Sequence, residues 1–514
     1  MNAGMLAGGV IRQNGRRRGM VCLIWAALLL PVFSILAGEP LTVSVATRQP
    51  GAEVAANALG VSYETSRMLP DEKEIHYFRP DNEALVTTFR TLGIKSLRIG
   101  GNSVDAENVP VPVEADARAF FEFAKAAGVR VIYSVRLKNG DPQLAASFAR
   151  LIHDHYAAEL DCFAIGNEPY YYQDYGVYTN KWLAIRDAML AVYPGARFCG
   201  PDQNPNPELM KNVARDLGRA AGGLVEITQH HYPFGCAYQN YKQVDITKLD
   251  SVDATTNQNG GPVLVPFDPV ASREKMLSPA AYAGYERARK GLTNAVAGTT
   301  LAYRLTEANS FFFSGLKGAS DSYAAALWGL DYLHWWVAHG AAGVNFHTGD
   351  RTGGAVSMPC RYAVFVSAAQ GYEVRPLGYG MKVFDLGGHG WLLPVEVSSG
   401  TNAELAAYAT LAADQTVCVT LINKSHGLAA TNREVQIKLD TPLAGTEAKA
   451  IFLTAQNGDL AGGAADVRLG GAPIKADGTW DGKWLTLPAA AIRNNALIVT
   501  MPPASAAVIK ARVR

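Results

Sequence analysis

Two glutamates in this 514-residue chain directly follow short apolar segments. Glu168 ends the motif Ile-Gly-Asn-Glu at 165–168, and Glu307 lies in Leu-Thr-Glu-Ala-Asn-Ser at 305–310. Two carboxyl groups can cleave a glycosidic bond when one, protonated, donates to the leaving oxygen and the other, ionised, attacks or stabilises the anomeric carbon. These residues therefore predict glycoside cleavage, on condition that the fold brings the two carboxyl groups together.

Three further apolar segments end in polar residues of the same kind. They are Leu-Arg-Ile-Gly-Gly-Asn-Ser at 97–103, Gln-His-His-Tyr-Pro at 229–233 and Asn-Phe-His at 345–347. In a barrel of parallel strands the reacting groups lie at the carboxyl ends of the strands, so these residues would meet at one rim. We expect Arg98 to bridge or orient carboxylates there. Asn102, Ser103 and His231 are candidates for the same site, with stabilisation of their own loops as the alternative.

The elements that would position these residues alternate short strands with longer helical patterns between about 57 and 388. Eight strands are predicted, at 59–63, 96–99, 130–135, 161–165, 196–199, 225–229, 303–306 and 343–346. Helices are predicted at 80–92, 114–127, 141–160, 179–192, 208–220 and 320–339, with a last one from the region 362–384. Eight strands each followed by a helix predict a (β/α)₈ TIM barrel. No Gly-x-Gly-x-x-Gly motif follows the first strand, which disfavours an open doubly wound sheet.

Beyond the barrel the sequence changes character. Short alternating or apolar runs at 391–394, 405–411, 416–423, 434–439, 448–454 and 496–501 predict a C-terminal β-sandwich. A lone strand at 41–45 could complete its sheets. The predicted division is therefore a signal peptide at 1–37, an N-terminal strand segment at 38–56, a catalytic barrel at 57–387 and a β-sandwich domain at 388–514. An insertion at 236–297, long for a compact fold, is expected to cover or shape the site.

The first 37 residues predict an export signal. Arg16, Arg17 and Arg18 precede an apolar stretch at 20–36, and Ala37 and Gly38 offer a small-residue cleavage site. We expect a secreted or periplasmic protein without stable membrane association after cleavage, with an uncleaved anchor as the alternative. Four of the 47 basic residues lie in this segment, which leaves 43 against 46 acids. Such a near-neutral balance does not indicate nucleic acid as a partner.

Five cysteines follow that segment. Cys162, Cys199 and Cys418 lie in apolar runs and are predicted to be buried thiols. Cys236 and Cys360 lie in loops beside the predicted site, and a bridge between them is left open. No Cys or His spacing indicates a metal site, and glycoside cleavage by two carboxyl groups needs no cofactor.

Five motifs, in the same order along the chain, resemble glycoside hydrolase family 79, which holds β-glucuronidases and heparanases. They lie at 97–103, 167–169, 230–233, 307–310 and 343–347. The resemblance implies a retaining (β/α)₈ glycosidase whose β-sandwich is completed by an N-terminal strand. It also implies Glu168 as the acid/base and Glu307 as the nucleophile. Asn167 would hydrogen-bond the sugar 2-hydroxyl, and Tyr232 would donate to Glu307.

The residues that would recognise a uronate depart from the family pattern. A tyrosine five residues after the nucleophile and a glycine two further on are replaced here by Phe312 and Ser314. Tyr362 matches a second carboxylate-binding tyrosine, and the insertion or Lys317 could supply another donor. The predicted substrate is a β-glucuronide or a glucuronic-acid-containing glycan, cleaved in an exo or endo manner. The alternatives are the same mechanism on a neutral β-glycoside, and a non-catalytic carbohydrate-binding protein.

Overall fold

The structure is a computed structural model that describes residues 41–218, 223–244, 261–349, 360–398, 404–493 and 496–514. The predicted signal peptide at 1–37 lies outside the described residues. Within them, no helix is both long and apolar enough to cross a membrane.

Eight parallel strands pair in chain order, and the eighth pairs with the first to close a barrel. Their bounds are Leu59–Glu64, Ser96–Gly100, Arg130–Val135, Leu160–Ile165, Phe198–Gln203, Leu224–His231, Ala302–Ala308 and Val344–His347. The predicted TIM barrel is confirmed, and each predicted strand overlaps an observed one. Every residue of the second, fourth and fifth strands is buried, because side chains fill the lumen on one face and helices cover the other.

Helices lie between the strands, and two more lie in the insertion after the sixth strand. Their bounds are Glu83–Leu92, Glu114–Ala127, Pro142–Tyr156, Tyr175–Val192, Pro207–Asp216, Pro269–Leu277, Ala281–Val296, Tyr323–Ala338 and Pro376–Gly387. Several begin at capping side chains: those of Asp141, Asp174 and Asn206 accept hydrogen bonds from backbone N–H groups of the first turn. The helix capped by Asp174 begins at Tyr175, four residues before the predicted start at 179. Gly93 and Gly128 end the first two helices in the left-handed conformation that glycine adopts without strain.

The last helix comes from the end of the region 362–384, and the first part of that region folds differently. Phe365–Ser367 and Tyr372–Val374 form a two-stranded antiparallel hairpin, and the helix begins only at Pro376. Proline fits the first turn of a helix, and it disfavours helical geometry in the residue before it. Arg375 accordingly has an extended backbone, with φ −81° and ψ 163°.

The C-terminal region is a sandwich of two sheets, as predicted. Leu41–Val45 pairs antiparallel with Val395–Val397 and parallel with Arg433–Leu439, so the expected contribution of an N-terminal strand is confirmed. The sheet is extended by Ala496–Met501 and Ile492–Arg493. The second sheet consists of Trp391–Leu393, Leu405–Leu411, Thr416–Asn423, Ser505–Val513, Leu443–Ala455, Val467–Leu469 and Leu485–Thr486. Ser505–Val513, which pairs with two long neighbours at its centre, was not predicted from the sequence.

A buried ion pair joins the barrel to the sandwich. Lys424 Nζ lies 2.6 Å from Asp331 Oδ2, and both side chains are at most 5% exposed. The hydroxyl groups of Tyr282 and Tyr408 each donate to Asp331 at 2.7 Å. Asp331 lies on the helix Tyr323–Ala338, whereas Lys424 and Tyr408 belong to the sandwich. Both oxygens of this buried aspartate therefore have hydrogen-bond partners.

Candidate active site

The two predicted glutamates meet at the carboxyl-terminal rim of the barrel, one after the fourth strand and one in the seventh. His230, from the sixth strand, lies between them: its Nδ1 is 2.9 Å from Glu168 Oε1 and 3.9 Å from Glu307 Oε2. The sum of these two distances limits the separation of the two oxygens to about 6.8 Å. Retaining glycosidases keep their carboxyl groups about 5–5.5 Å apart and inverting ones about 6.5–9.5 Å apart. The limit therefore admits the retaining separation and excludes all but the shortest inverting ones.

Glu307 is surrounded by donors and cations. Arg98 Nη1 donates to its Oε2 at 3.0 Å, the Tyr232 hydroxyl donates to its Oε1 at 2.8 Å, and His347 Nδ1 lies 3.7 Å from Oε2. Burial alone would raise the pKa of this carboxyl group. The charges of His347, His230 and Arg98, with the hydrogen bond from Tyr232, outweigh burial and hold the pKa well below its usual value. Glu307 is thus kept ionised, as a nucleophile must be.

Glu168 has a different environment. Its backbone is left-handed, with φ 43° and ψ 65°, and its N–H donates to the carbonyl of Asp202 at 2.8 Å. Asn204 Nδ2 and His230 Nδ1 both contact Oε1, at 2.8 and 2.9 Å. Across the described ranges no residue hydrogen-bonds the other oxygen, Oε2, and the side chain is 15% exposed. Oε2 can therefore carry a proton and donate it to a ligand.

Arg98 links Glu307 to Asn167, the residue before Glu168. This fully buried guanidinium donates to Asp202 Oδ2 from Nε and Nη2, at 3.2 and 2.9 Å, and to Asn167 Oδ1 at 2.6 Å. It also donates to Ser62 at 2.9 Å and to Glu307. Burial lowers the pKa of Arg98, but the charges of Asp202 and Glu307 raise it further, so the group stays cationic. The expectation that Arg98 orients a carboxylate agrees with these contacts.

Asp202 is a site residue that the sequence reasoning missed. It is 1% exposed, its Oδ1 accepts from the Thr306 hydroxyl at 2.6 Å, and its N–H donates to Thr228 at 3.0 Å. Burial raises its pKa, but Arg98 and His230 lower it more, and the aspartate remains charged. The predicted fifth strand ended at 199 because a proline follows, whereas the observed strand continues to Gln203.

His230, rather than the predicted His231, faces the carboxyl groups. Burial lowers the pKa of His230, but the charge of Glu307 and the hydrogen bond to Glu168 raise it above its usual value. His231 points away from the lumen, where its Nδ1 lies 2.7 Å from the Tyr332 hydroxyl and its ring stacks on that tyrosine. Burial lowers the pKa of His231 to about 3, so it is neutral. The assignment of His231 to the site is therefore corrected.

The loop after the second strand is held by Glu64, another residue that was not predicted. The backbone N–H groups of Asn102 and Ser103 donate to the two Glu64 oxygens, at 3.3 and 2.8 Å. Asn167 Nδ2 donates to Asn102 Oδ1 at 3.1 Å, and the Asn102 side chain is exposed at the rim. Ser103 is buried and accepts from the Ser66 N–H, which places it in the loop rather than at the opening.

Aromatic side chains form one wall beside Glu307. The Tyr232 ring lies 6.2 Å from the rings of both Phe312 and Tyr362. Tyr241, from the insertion, packs edge-on to Phe312 at 5.4 Å. Ser314 has a φ of 63°, in the left-handed region. The structure thus brings Phe312 and Tyr362 together around Tyr232, whose hydroxyl bonds Glu307, and adds Tyr241.

The remaining candidates contribute less. Cys236 is a free thiol that accepts from the Tyr238 N–H, so the bridge to Cys360 that the sequence left open is not formed. Lys317 is exposed, and no contact connects it with either glutamate. Among the residues for which coordinates are described, no group of three or more His, Cys, Asp or Glu side chains could hold a metal ion.

Solved structures of glycoside hydrolases share this fold. A 4-O-α-L-rhamnosyl-β-D-glucuronidase from Fusarium oxysporum aligns with a TM-score of 0.64 at 17% identity, covering 91% of this chain and 100% of that one. A family 51 arabinofuranosidase from Xanthomonas axonopodis aligns at 0.62 and 13%, covering 92% and 100%. A family 39 enzyme from the same species aligns at 0.57 and 15%, covering 95% and 100%. No family model and no curated protein matches the chain. At these identities the likeness establishes the fold.

Proposed function

We propose that this chain is a retaining β-glycosidase in which Glu307 is the nucleophile and Glu168 the acid/base. One observation carries the proposal: two carboxyl groups lie within about 6.8 Å at a barrel rim, one held ionised and the other with an oxygen open to a ligand. Glycoside hydrolases among the similar structures support the same reaction class.

The reaction follows from the contacts of each group. Glu307 attacks the anomeric carbon while Glu168 passes its proton from Oε2 to the leaving oxygen, which gives a covalent glycosyl ester and a free alcohol. Glu168, now ionised, takes a proton from water, and the hydroxide attacks the same carbon and releases Glu307. Asn167 Oδ1 is occupied by Arg98 and one Nδ2 hydrogen by Asn102, so its second amide hydrogen is the one that can reach the sugar 2-hydroxyl.

A β-glucuronide is the proposed substrate, by resemblance to family 79 and from two features of the wall. Ser314 has a left-handed backbone, with φ 63°, a conformation that glycine adopts most readily, at the position where the family pattern has a glycine. Phe312 lacks a hydroxyl, but the ring of Tyr241, a tyrosine of the insertion, packs against it. The fungal glucuronidase among the similar structures is consistent with this sugar.

A neutral β-glycoside is the second candidate, because the side chain of Phe312 is apolar where a uronate would need a donor. Comparing kcat/KM on 4-nitrophenyl β-glucuronide, β-glucoside and β-galactoside separates the two. Cleavage of neutral glycosides alone would exclude the glucuronide.

The catalytic roles are tested by labelling and rescue. A cyclophellitol-type probe of the preferred sugar should attach to Glu307, as located by mass spectrometry of the digested protein. Azide should restore turnover of a 4-nitrophenyl β-glycoside by Glu168→Ala with a β-glycosyl azide as product, and by Glu307→Ala with an α-azide. Glu226→Gln, a buried glutamate paired with Arg304 elsewhere in the barrel, is the control and should need no azide. Binding of glycans without any turnover by the parent would instead identify a carbohydrate-binding protein.

Export from the cytoplasm is part of the proposal, on the basis of residues 1–37. Expression of the full chain, followed by N-terminal sequencing of the exported protein, should find cleavage near residue 37. Retention of the full chain in the membrane fraction would indicate an anchor.

A further inference from the structure

The turn after the fourth strand places an aromatic residue beside the acid/base. Pro169–Tyr171 form a single 3₁₀ turn, and the Tyr170 N–H donates to the Glu168 carbonyl at 2.6 Å. The Glu168 N–H is itself bonded to Asp202 on the fifth strand. The position of Tyr170 is therefore fixed relative to Glu168 by backbone hydrogen bonds.

Three consecutive tyrosines follow Pro169, and they differ in exposure. The Tyr171 hydroxyl donates to the buried Asp105 at 2.9 Å, and the Tyr172 ring packs against Tyr171 at 4.6 Å. Tyr170 is 68% exposed, and its ring meets Tyr171 at 6.2 Å and 73°. The first ring thus faces solvent while the next two anchor the turn. A single exposed tyrosine needs no explanation in general, but this one adjoins a group that must contact the leaving oxygen.

Asn204 approaches Glu168 from the neighbouring loop, after the fifth strand. Its Nδ2 donates to Glu168 Oε1 at 2.8 Å, and the residue is exposed. A side-chain amide has two donor hydrogens and a carbonyl oxygen with two lone pairs. One hydrogen is used by Glu168, so the carbonyl and the second hydrogen can bond hydroxyl groups of a ligand.

The direction of bond cleavage relates both residues to the leaving group. The sugar attacked by Glu307 lies over the seventh strand, and its leaving oxygen must contact Glu168 Oε2. The group attached to that oxygen then extends past Glu168, over the fourth and fifth strands. Tyr170 and Asn204 follow these two strands.

We infer that Tyr170 and Asn204 form a binding site for a sugar ring as the leaving group, so that the natural substrate is an oligosaccharide or polysaccharide rather than a glycoside of a small alcohol. The inference rests on the proposed function. An aromatic face with a few polar groups beside it is how proteins bind largely apolar ring faces edged by hydroxyls.

The experiment compares leaving groups. β-Glycosyl fluorides of glucuronic acid, glucose and galactose first identify the sugar that the parent turns over, since fluoride departs without a binding site of its own. The kcat/KM ratio between a disaccharide of that sugar, β-linked to glucose or N-acetylglucosamine, and the fluoride is then measured. Tyr170→Ala should lower this ratio at least tenfold, and Tyr170→Phe should restore it because the ring is kept. Val177→Ala, an exposed residue on the following helix, should leave the ratio as in the parent.

Transfer of the glycosyl group to added sugars, instead of to water, gives an independent measurement of the same binding site. With the fluoride as donor, Tyr170→Ala should lose transfer to added disaccharide acceptors relative to hydrolysis. If the parent hydrolyses no fluoride, the proposed function is wrong. If it does, and Tyr170→Ala retains the parental ratio or loses both activities equally, the inference of a sugar-binding site is wrong.

Discussion

Replacing Asp202 by asparagine tests whether the buried Arg98 network holds Glu307, the proposed nucleophile, in place. The change removes the charge that faces Arg98 through two hydrogen bonds, at 3.2 and 2.9 Å. The acceptor for the Thr306 hydroxyl can be kept by the amide oxygen. Breaking a buried ion pair by removing one partner costs about 3–5 kcal/mol. The hydrogen bond from Thr306 is kept and Glu307 remains as a counterion for Arg98. We therefore expect a loss of stability at the lower end of this range, about 3 kcal/mol.

The same change should also lower activity. Without the charge of Asp202, Glu307 is the one carboxylate left beside Arg98, and the guanidinium shifts toward it. The Glu307 carboxylate then loses the orientation that Arg98, held by Asp202, gives it. A loss of about 10–100-fold in kcat/KM corresponds to about 1.4–2.7 kcal/mol of transition-state stabilisation. Thermal unfolding followed by circular dichroism, and kcat/KM at a temperature well below both midpoints, measure the two effects separately.

A second buried pair in the same barrel provides the matched control. Arg304 Nε lies 3.0 Å from Glu226 Oε2, both residues are buried, and neither contacts Glu168 or Glu307. Glu226→Gln should lower the unfolding midpoint by a similar amount and leave kcat/KM unchanged. An Asp202→Asn protein as stable as the parent, or equal losses of activity in the two variants, would refute the role given to the network.

The difference in stability between the parent and Asp202→Asn should depend on pH in a defined direction. The pKa of Asp202 is lowered in the folded protein, so its contribution to stability is present above the ordinary aspartate pKa, about 3.9, and is lost as the pH falls through the folded value. The gap between parent and Asp202→Asn should therefore be full at pH 7 and shrink below about pH 4.

Three further changes have expected outcomes. Tyr232→Phe removes a donor to Glu307 and so raises its pKa; the acid limb of the kcat/KM profile should move to higher pH. His231→Phe should lower the free energy of unfolding by about 1–3 kcal/mol, because the buried Tyr332 hydroxyl loses its partner. Its kcat/KM should be retained. Lys424→Met leaves Asp331 buried without its cation and should destabilise the protein by about 3 kcal/mol, measured by thermal unfolding.

The barrel and its two glutamates were readable from the sequence because of their local signals. Strands that carry apolar β-branched runs alternate with capped helices, and each glutamate directly follows such a run. The longer strands of the β-sandwich were readable for the same reason, except for Ser505–Val513. That strand contains three alanines and a lysine, and its burial comes from pairing with two neighbours rather than from its own composition.

The sequence did not show which of His230 and His231 faces the carboxyl groups, because a parallel strand of a barrel is buried on both faces. Polar and apolar residues then do not alternate along its whole length, and the phase is hard to read. A signal did exist: Thr228 and Glu226, two and four residues before His230, also point into the lumen. Following that alternation forward would have selected His230.

Asp202 could not be read locally, because its partners come from distant parts of the chain. Arg98 is 104 residues before it, and Thr306 is 104 residues after it. Such a carboxylate is recognisable only once the strands are placed in order around the barrel. The sequence around it, Gly-Pro-Asp-Gln-Asn-Pro at 200–205, has the composition of a turn.

His230 couples the two glutamates within the proposed double displacement. Burial lowers the pKa of His230, but the charge of Glu307 and the hydrogen bond to Glu168 raise it above its usual value. When Glu307 becomes an ester it loses its negative charge, and Glu168, having given its proton to the leaving oxygen, becomes negatively charged. The negative charge therefore moves from Glu307 to Glu168, and His230 Nδ1 lies between them, 3.9 Å from Glu307 Oε2 and 2.9 Å from Glu168 Oε1. The same side chain can thus stabilise the carboxylate in both halves of the reaction.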